Sequence, residues 1–137
     1  MQISSILDII GGRLLNSPSI SFIYSFKTQA SKVKEGDLFI ARNLDDIALA
    51  VNNGAFAIIL ENTYPIIDNE IAWIKVDSIN LSLIQIIRFK LAAIELKAYI
   101  CDLITYDFLD IFKCSSSKKI KLISDDLFKF IENLDEI

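Results

Sequence analysis

Residue types that ordinarily carry out chemistry are sparse in this chain. There is no histidine, so the side chain that changes charge near neutral pH is missing. Ser-His-Asp and Cys-His nucleophile arrangements and imidazole zinc sites are excluded with it. The two cysteines, Cys101 and Cys114, supply too few thiolates for a structural zinc site. A disulfide between them is open on paper, and free buried thiols suit a cytoplasmic chain better. Asp107 and Asp110 stand three apart on one face of an expected helix, an arrangement that can share acid/base work; that face is the polar one, and simple solvation is the plainer reading. The glycines are Gly11, Gly12, Gly36 and Gly54, with none beyond, and neither GxxxxGK(S/T) nor GxGxxG occurs. A phosphate-cradling loop needs successive backbone N–H groups turned inward, which takes glycines. No catalytic residue, metal or cofactor is expected, and an ATP-driven step on this polypeptide alone is disfavoured.

Composition sets the class. The chain has 137 residues, 53% of them hydrophobic and 23% charged, and a mean hydropathy of +0.43. That suffices for one core without disulfides and excludes a disordered protein. Fourteen basic against eighteen acidic residues leave a net charge of −4, the wrong balance for displacing phosphate counterions, so no nucleic-acid partner is expected. The basic cluster Lys113, Lys118, Lys119 and Lys121 reads as a solvated loop and strand edge. The longest uncharged stretch, Ile47 to Leu60, contains Asn52, Asn53 and Gly54 and falls short of the roughly 20 apolar residues of a membrane span. The opening MQISSILDIIGG has no basic n-region and carries Asp8 in its apolar part; a cytoplasmic protein without membrane contact is expected.

The elements that would position any site follow from periodicity and caps. Ser4 or Ser5 is expected to cap a helix to Ile10, stopped by Gly11-Gly12, and residues 13–15 to form a short strand. Ile20 to Phe26 alternates, with Ile20, Phe22, Tyr24 and Phe26 on one face and Ser21, Ile23 and Ser25 on the other, which predicts a strand. Asp37 to Ala41 is a compact apolar strand after the Gly36 turn. Asn43 or Asp45 should cap a helix closed by Gly54. Ala55 to Leu60 is an unalternating apolar run, the mark of a parallel strand covered on both faces. After a turn at Tyr64-Pro65 come a strand at 72–76 and a helix from Asp77 or Ser78 to about Glu95, with Leu83, Ile84, Ile87, Leu91 and Ile94 as its core stripe. The remainder predicts strand 98–101, helix 104–113, strand 119–123 and helix 126–134, the last capped by Ser124. Strands alternating with helices argue for an α/β class.

One order of motifs goes beyond periodicity. Gly11-Gly12, Thr28, Lys32-Val33-Lys34, the segment GDLFIA at 36–41 and GAFAIIL at 54–60 follow one another, and Asp77-Ser78 opens a helix after them. Over residues 2–96 this resembles the N-terminal domain of the Mur ligases, ATP-dependent amide ligases that add amino acids or dipeptides to the UDP-linked peptidoglycan precursor. The resemblance implies a Mur-ligase-N-terminal-like sheet with flanking helices in residues 1–96. A βαβα extension would follow in 97–137, packed on the same core or as its own lobe. It also implies a surface for the uridine nucleotide end of the substrate. On that reading the binding residues are Ser25, Thr28 and Ser31 on a strand edge, with Lys32, Arg42 and Asn43 beside it. Arg42 could meet a diphosphate bidentately; a solvated Arg42, or one paired with Asp45 or Asp46, is the plainer alternative.

The chain also departs from that family pattern. After Thr28 the Asp-Ser-Arg positions read Gln29-Ala30-Ser31, and the glycine- and histidine-bearing loop after Ala41 is reduced to Arg42-Asn43-Leu44-Asp45-Asp46. Where the Gly-Lys-Thr loop of an ATP domain belongs, the sequence reads AYICDLITYDF. A stand-alone, degenerate relative lacking the ATP-binding domain is implied. The function expected is non-catalytic, in protein–protein interaction or regulation linked to peptidoglycan synthesis, with a protein partner or a second copy. Trp73, Tyr64 and Tyr106 are aromatic candidates for such contact, although Trp73 suits a core equally. The alternative is a module for UDP-N-acetylmuramoyl-type precursors, or the substrate-binding half of a split ligase.

Overall fold

The structure, a computed structural model, describes residues 1–95, 100–111 and 126–134. Among them the chain runs α1 (Ile3–Ile10), β1 (Arg13–Leu14), β2 (Phe26–Lys27), β3 (Leu38–Ile40), α2 (Ile47–Asn52), β4 (Ala57–Leu60), β5 (Ala72–Lys75), α3 (Ile79–Leu91), α4 (Leu103–Ile111) and α5 (Leu127–Glu132). The five described strands make one mixed sheet in the order β1-β5-β4-β3-β2. β2 to β5 are parallel and β1 is antiparallel to β5. The register sets Ile58 between Phe39 and Trp73, and Ile59 between Ile40 and Ile74.

Alternation along these strands divides the core in two. Leu38, Ile40, Ile59 and Ile74 pack with α1, α3 and α5 on one face. Phe39, Ile58, Leu60 and Trp73 pack with α2 and the 3₁₀ turn Ala30–Lys32 on the other. Burial on both faces is why β4 shows no polar alternation, as its sequence predicts. At the sheet edge Leu15 N–H donates to Trp73 O at 2.8 Å. The Asn16 amide then extends that pairing, donating to Ile71 O at 2.7 Å and accepting Trp73 N–H at 3.1 Å.

Several expectations are corrected. α1 starts after Gln2 without a side-chain cap, and Ser4 and Ser5 lie inside it; Ile3 N–H is taken by Ser21 O at 2.8 Å, so no cap side chain is needed. Of residues 20–26 only Phe26 enters a strand, and burial falls on Ile23 while Phe22 and Tyr24 are exposed. Alternation specifies faces only where a ladder holds the register. Here Ile23 is bonded instead to Met1 through both backbone groups, at 2.7 and 2.8 Å. In α3, capped by Ser78, the buried residues include Ile79, Leu83, Ile86 and Ile87, while Ile84 is exposed; the helix ends at Leu91 rather than near Glu95, leaving Ile94 beyond it and exposed. Apolar residues lie on more than one side of that helix, so its buried arc is chosen by its neighbours α1 and α5. Ile100 and Cys101 carry no strand; Asp102 accepts Thr105 N–H at 2.7 Å and starts α4 immediately after them. The cap of α5 is Asp126. Strand 119–123, Ser124, Cys114 and the lysines at 113, 118, 119 and 121 lie outside the described residues.

Candidate functional site

In open parallel sheets, ligands gather at the carboxyl ends of the strands, where loops diverge and the chain bears no regular pairing. On this edge Thr28 follows β2, and Arg42 and Asn43 follow β3 a residue after its end. Helix α5 lies over the same region, anchored by its Ile131 and by Leu134 just after it, both buried in the core face shared with β2 and α3. Phe128 and Glu132 are four apart and so lie on one side of this helix.

Glu132 is the hub. Its Oε1 accepts the Thr28 N–H at 2.9 Å and the Thr28 hydroxyl at 2.6 Å, and its Oε2 lies 3.7 Å from Lys32 Nζ. Burial pushes the Glu132 carboxyl up, but the two Thr28 hydrogen bonds and the charges of Lys32 and Lys27 outweigh it, holding the group below its ordinary value. Arg42 is not paired with Asp45 or Asp46 among the described contacts; its guanidinium sits 3.9 Å above the Phe128 ring, a cation–π contact.

Of the six residues singled out from sequence, the structure brings Thr28, Lys32 and Arg42 together around α5. Ser25 is at the opposite edge of the sheet, where its hydroxyl donates to Asp37 Oδ1 at 2.7 Å. Asp37 Oδ2 also accepts Lys34 N–H at 2.9 Å, so this buried carboxylate ties the turn before β3 to the entry of β2. Asn43 accepts Asp45 N–H at 3.1 Å and opens the 3₁₀ turn before α2. Ser31 is exposed. Trp73 is fully buried, stacks on Tyr64 with ring centroids 6.0 Å apart, and donates from Nε1 to Asp68 O at 2.7 Å; it is a core residue. Asp107 is exposed on α4, and Cys101 is free and exposed rather than buried.

Sequence reasoning missed Glu132 and Phe128. One signal was available: a carboxylate in the last turn of a helix opposes the macrodipole, so an outside partner for Glu132 was to be sought. A concavity of about 250 Å³ lies farther along the carboxyl edge, lined by Gly11, Arg13, Lys75, Val76 and Asp77. There Arg13 and Lys75 are direct cross-strand neighbours. No helix among the described residues is long and apolar enough to cross a membrane.

The fold has solved counterparts. A UDP-N-acetylmuramoylalanyl-D-glutamyl-2,6-diaminopimelate–D-alanyl-D-alanyl ligase from Acinetobacter baumannii superimposes with a TM-score of 0.57 at 22% identity, over 67% of this chain and 22% of that one. Two crystal structures of MurF from the same organism give TM-scores of 0.57 and 0.56 at 23% and 22% identity, each over 67% of this chain and 21% of the ligase. The fold is similar to part of a Mur ligase. At this identity the likeness concerns fold alone, and this chain spans about a fifth of the length of those ligases. No protein-family model matches the sequence, and no curated protein matches it.

Proposed function

We propose that this chain is a non-catalytic, Mur-ligase-N-terminal-like protein that acts through protein contact or regulation linked to peptidoglycan precursor synthesis. The link to that pathway rests on the fold likeness to MurF and on the GDLFIA and GAFAIIL segments in matching order. The observation that carries the non-binding role is the engagement of Thr28, Lys32 and Arg42 by Glu132 and Phe128 of the same chain. Side chains that would otherwise meet a nucleotide diphosphate are already satisfied internally. Calorimetric titration with a UDP-N-acetylmuramoyl peptide tests this: the intact chain should give no binding heat at millimolar ligand. It should associate with itself or with a partner of the precursor pathway in sedimentation experiments. Micromolar binding by the intact chain would overturn the proposal.

The second reading, a precursor-binding module or half of a split ligase, has one observation in its favour. Thr28 N–H, the Thr28 hydroxyl and Lys32 already converge on a carboxylate at the carboxyl edge. On this reading a UDP-sugar raises the melting temperature, since a ligand selective for the native state stabilises it.

A further inference from the structure

We infer that α5 is a built-in occupant of an anion site, its Glu132 carboxylate standing where a diphosphate-type anion would otherwise be received. This deepens the proposed function and rests on it, since it explains why the surface does not take nucleotide in the resting chain.

Three features carry the inference. The first is the donor set. A backbone N–H and a hydroxyl point at one oxygen while an ammonium approaches the other, which is how proteins hold phosphate and carboxylate oxygens alike. The second is the charge balance. Lys32 lies 3.7 Å from the one carboxylate, the charge of Lys27 acts on it, and Arg42 is held one helical turn away over Phe128. Of these, Arg42 meets an aromatic face, and neither it nor Lys27 has a described carboxylate within ion-pair distance. Removing Glu132 leaves more positive charge than a single carboxylate balances, which suits a multiply charged anion. The third is the placement. Ile131 within α5 and Leu134 just beyond it are buried in the core, so packing holds Glu132 against Thr28, 104 residues away in sequence, and a free anion must displace a group already in place.

The test uses the full chain and two probes, inorganic diphosphate and UDP, titrated by calorimetry into the wild type and into Glu132→Ala/Phe128→Ala. Hydrogen exchange at the Thr28 amide is followed in both. The double variant should expose that amide and bind diphosphate at least about tenfold more tightly than wild type, one lost charge-assisted contact being worth roughly that factor. Adding Lys32→Ala and Arg42→Ala should remove the gain. Should the double variant fail to fold, Glu132→Gln keeps the shape and loses the charge, and a gain of a few-fold is expected. UDP binding better than diphosphate supports the inference and ties the site to nucleotides; UDP no better than diphosphate supports the occupied anion site and removes its nucleotide link. A folded variant with a freely exchanging Thr28 amide and no affinity for either probe overturns the inference and leaves the protein-contact reading standing. Wild type binding as tightly as the variant overturns both.

Discussion

Glu132→Ala measures how firmly α5 is held across the carboxyl edge. The residue takes two hydrogen bonds from Thr28, at 2.9 and 2.6 Å, on one oxygen. Bonds to a charged group contribute about 1.5–3 kcal/mol each when fully buried. Glu132 has a side chain 12% exposed, but Thr28 is only half-buried, so water recovers part of the loss and a net cost of about 2 kcal/mol follows. Lys32 differs in kind. Its ammonium is 3.7 Å away on a side chain 56% exposed, which limits it to about 0.2–1 kcal/mol. The expected order of destabilisation is therefore Glu132→Ala, then Thr28→Val, then Lys32→Ala. Urea unfolding followed by the emission of Trp73, the single tryptophan, gives each loss from the midpoint at constant slope. A double-mutant cycle between Thr28→Val and Glu132→Ala should return a coupling of about 1 kcal/mol, beyond the roughly 0.3–0.5 kcal/mol scatter of independent sites. Additive losses, or a Lys32→Ala loss equal to that of Glu132→Ala, would refute the reasoning.

Two further outcomes follow from the same structure. Because the Glu132 carboxyl is held below its ordinary value, the unfolded chain binds more protons there, and its contribution is complete above the ordinary carboxylate range and vanishes as pH falls through the lowered native value. The stability gap between wild type and Glu132→Gln should accordingly narrow as pH falls from above the ordinary carboxylate range through the lowered native value, and a gap that stays constant would assign the loss to something other than charge. Gly54 has φ +97°, and a Cβ there would lie 2.9 Å from the Glu35 Cα, so Gly54→Ala should cost about 2–3 kcal/mol. Gly11, at φ +62° with open space around it, should lose only about 1 kcal/mol on the same change; equal midpoints in urea would contradict the backbone clash.

Legibility in the sequence followed the range of the interaction. The run Ala55 to Leu60 showed its double-sided burial in letters because a strand covered on both faces admits no polar residue at all. Ser78 and Asn43 were readable as caps because the bonds they accept, from Leu81 N–H and Asp45 N–H, lie within three residues. Ile20 to Phe26 misled because its alternation matches a strand, while the backbone groups that hold it belong to distant residues such as Met1, Ile3, Gly36 and Glu70. Ser25 looked like a companion of Thr28 by spacing; β2 separates them and sends them to opposite edges of the sheet.

From the letters alone came the α/β class, the doubly covered central strands, the scarcity of chemistry without histidine or a phosphate loop, and the segments GDLFIA and GAFAIIL in Mur-like order. These depend on period, composition and neighbours a few residues apart, which the chain carries locally. Only the tertiary structure decided that Thr28 and Arg42 are met by Glu132 and Phe128. No period or spacing encodes a hydrogen bond across 104 residues; it arises because burying Ile131 and Leu134 against the sheet sets α5, and every side chain on it, over the carboxyl edge.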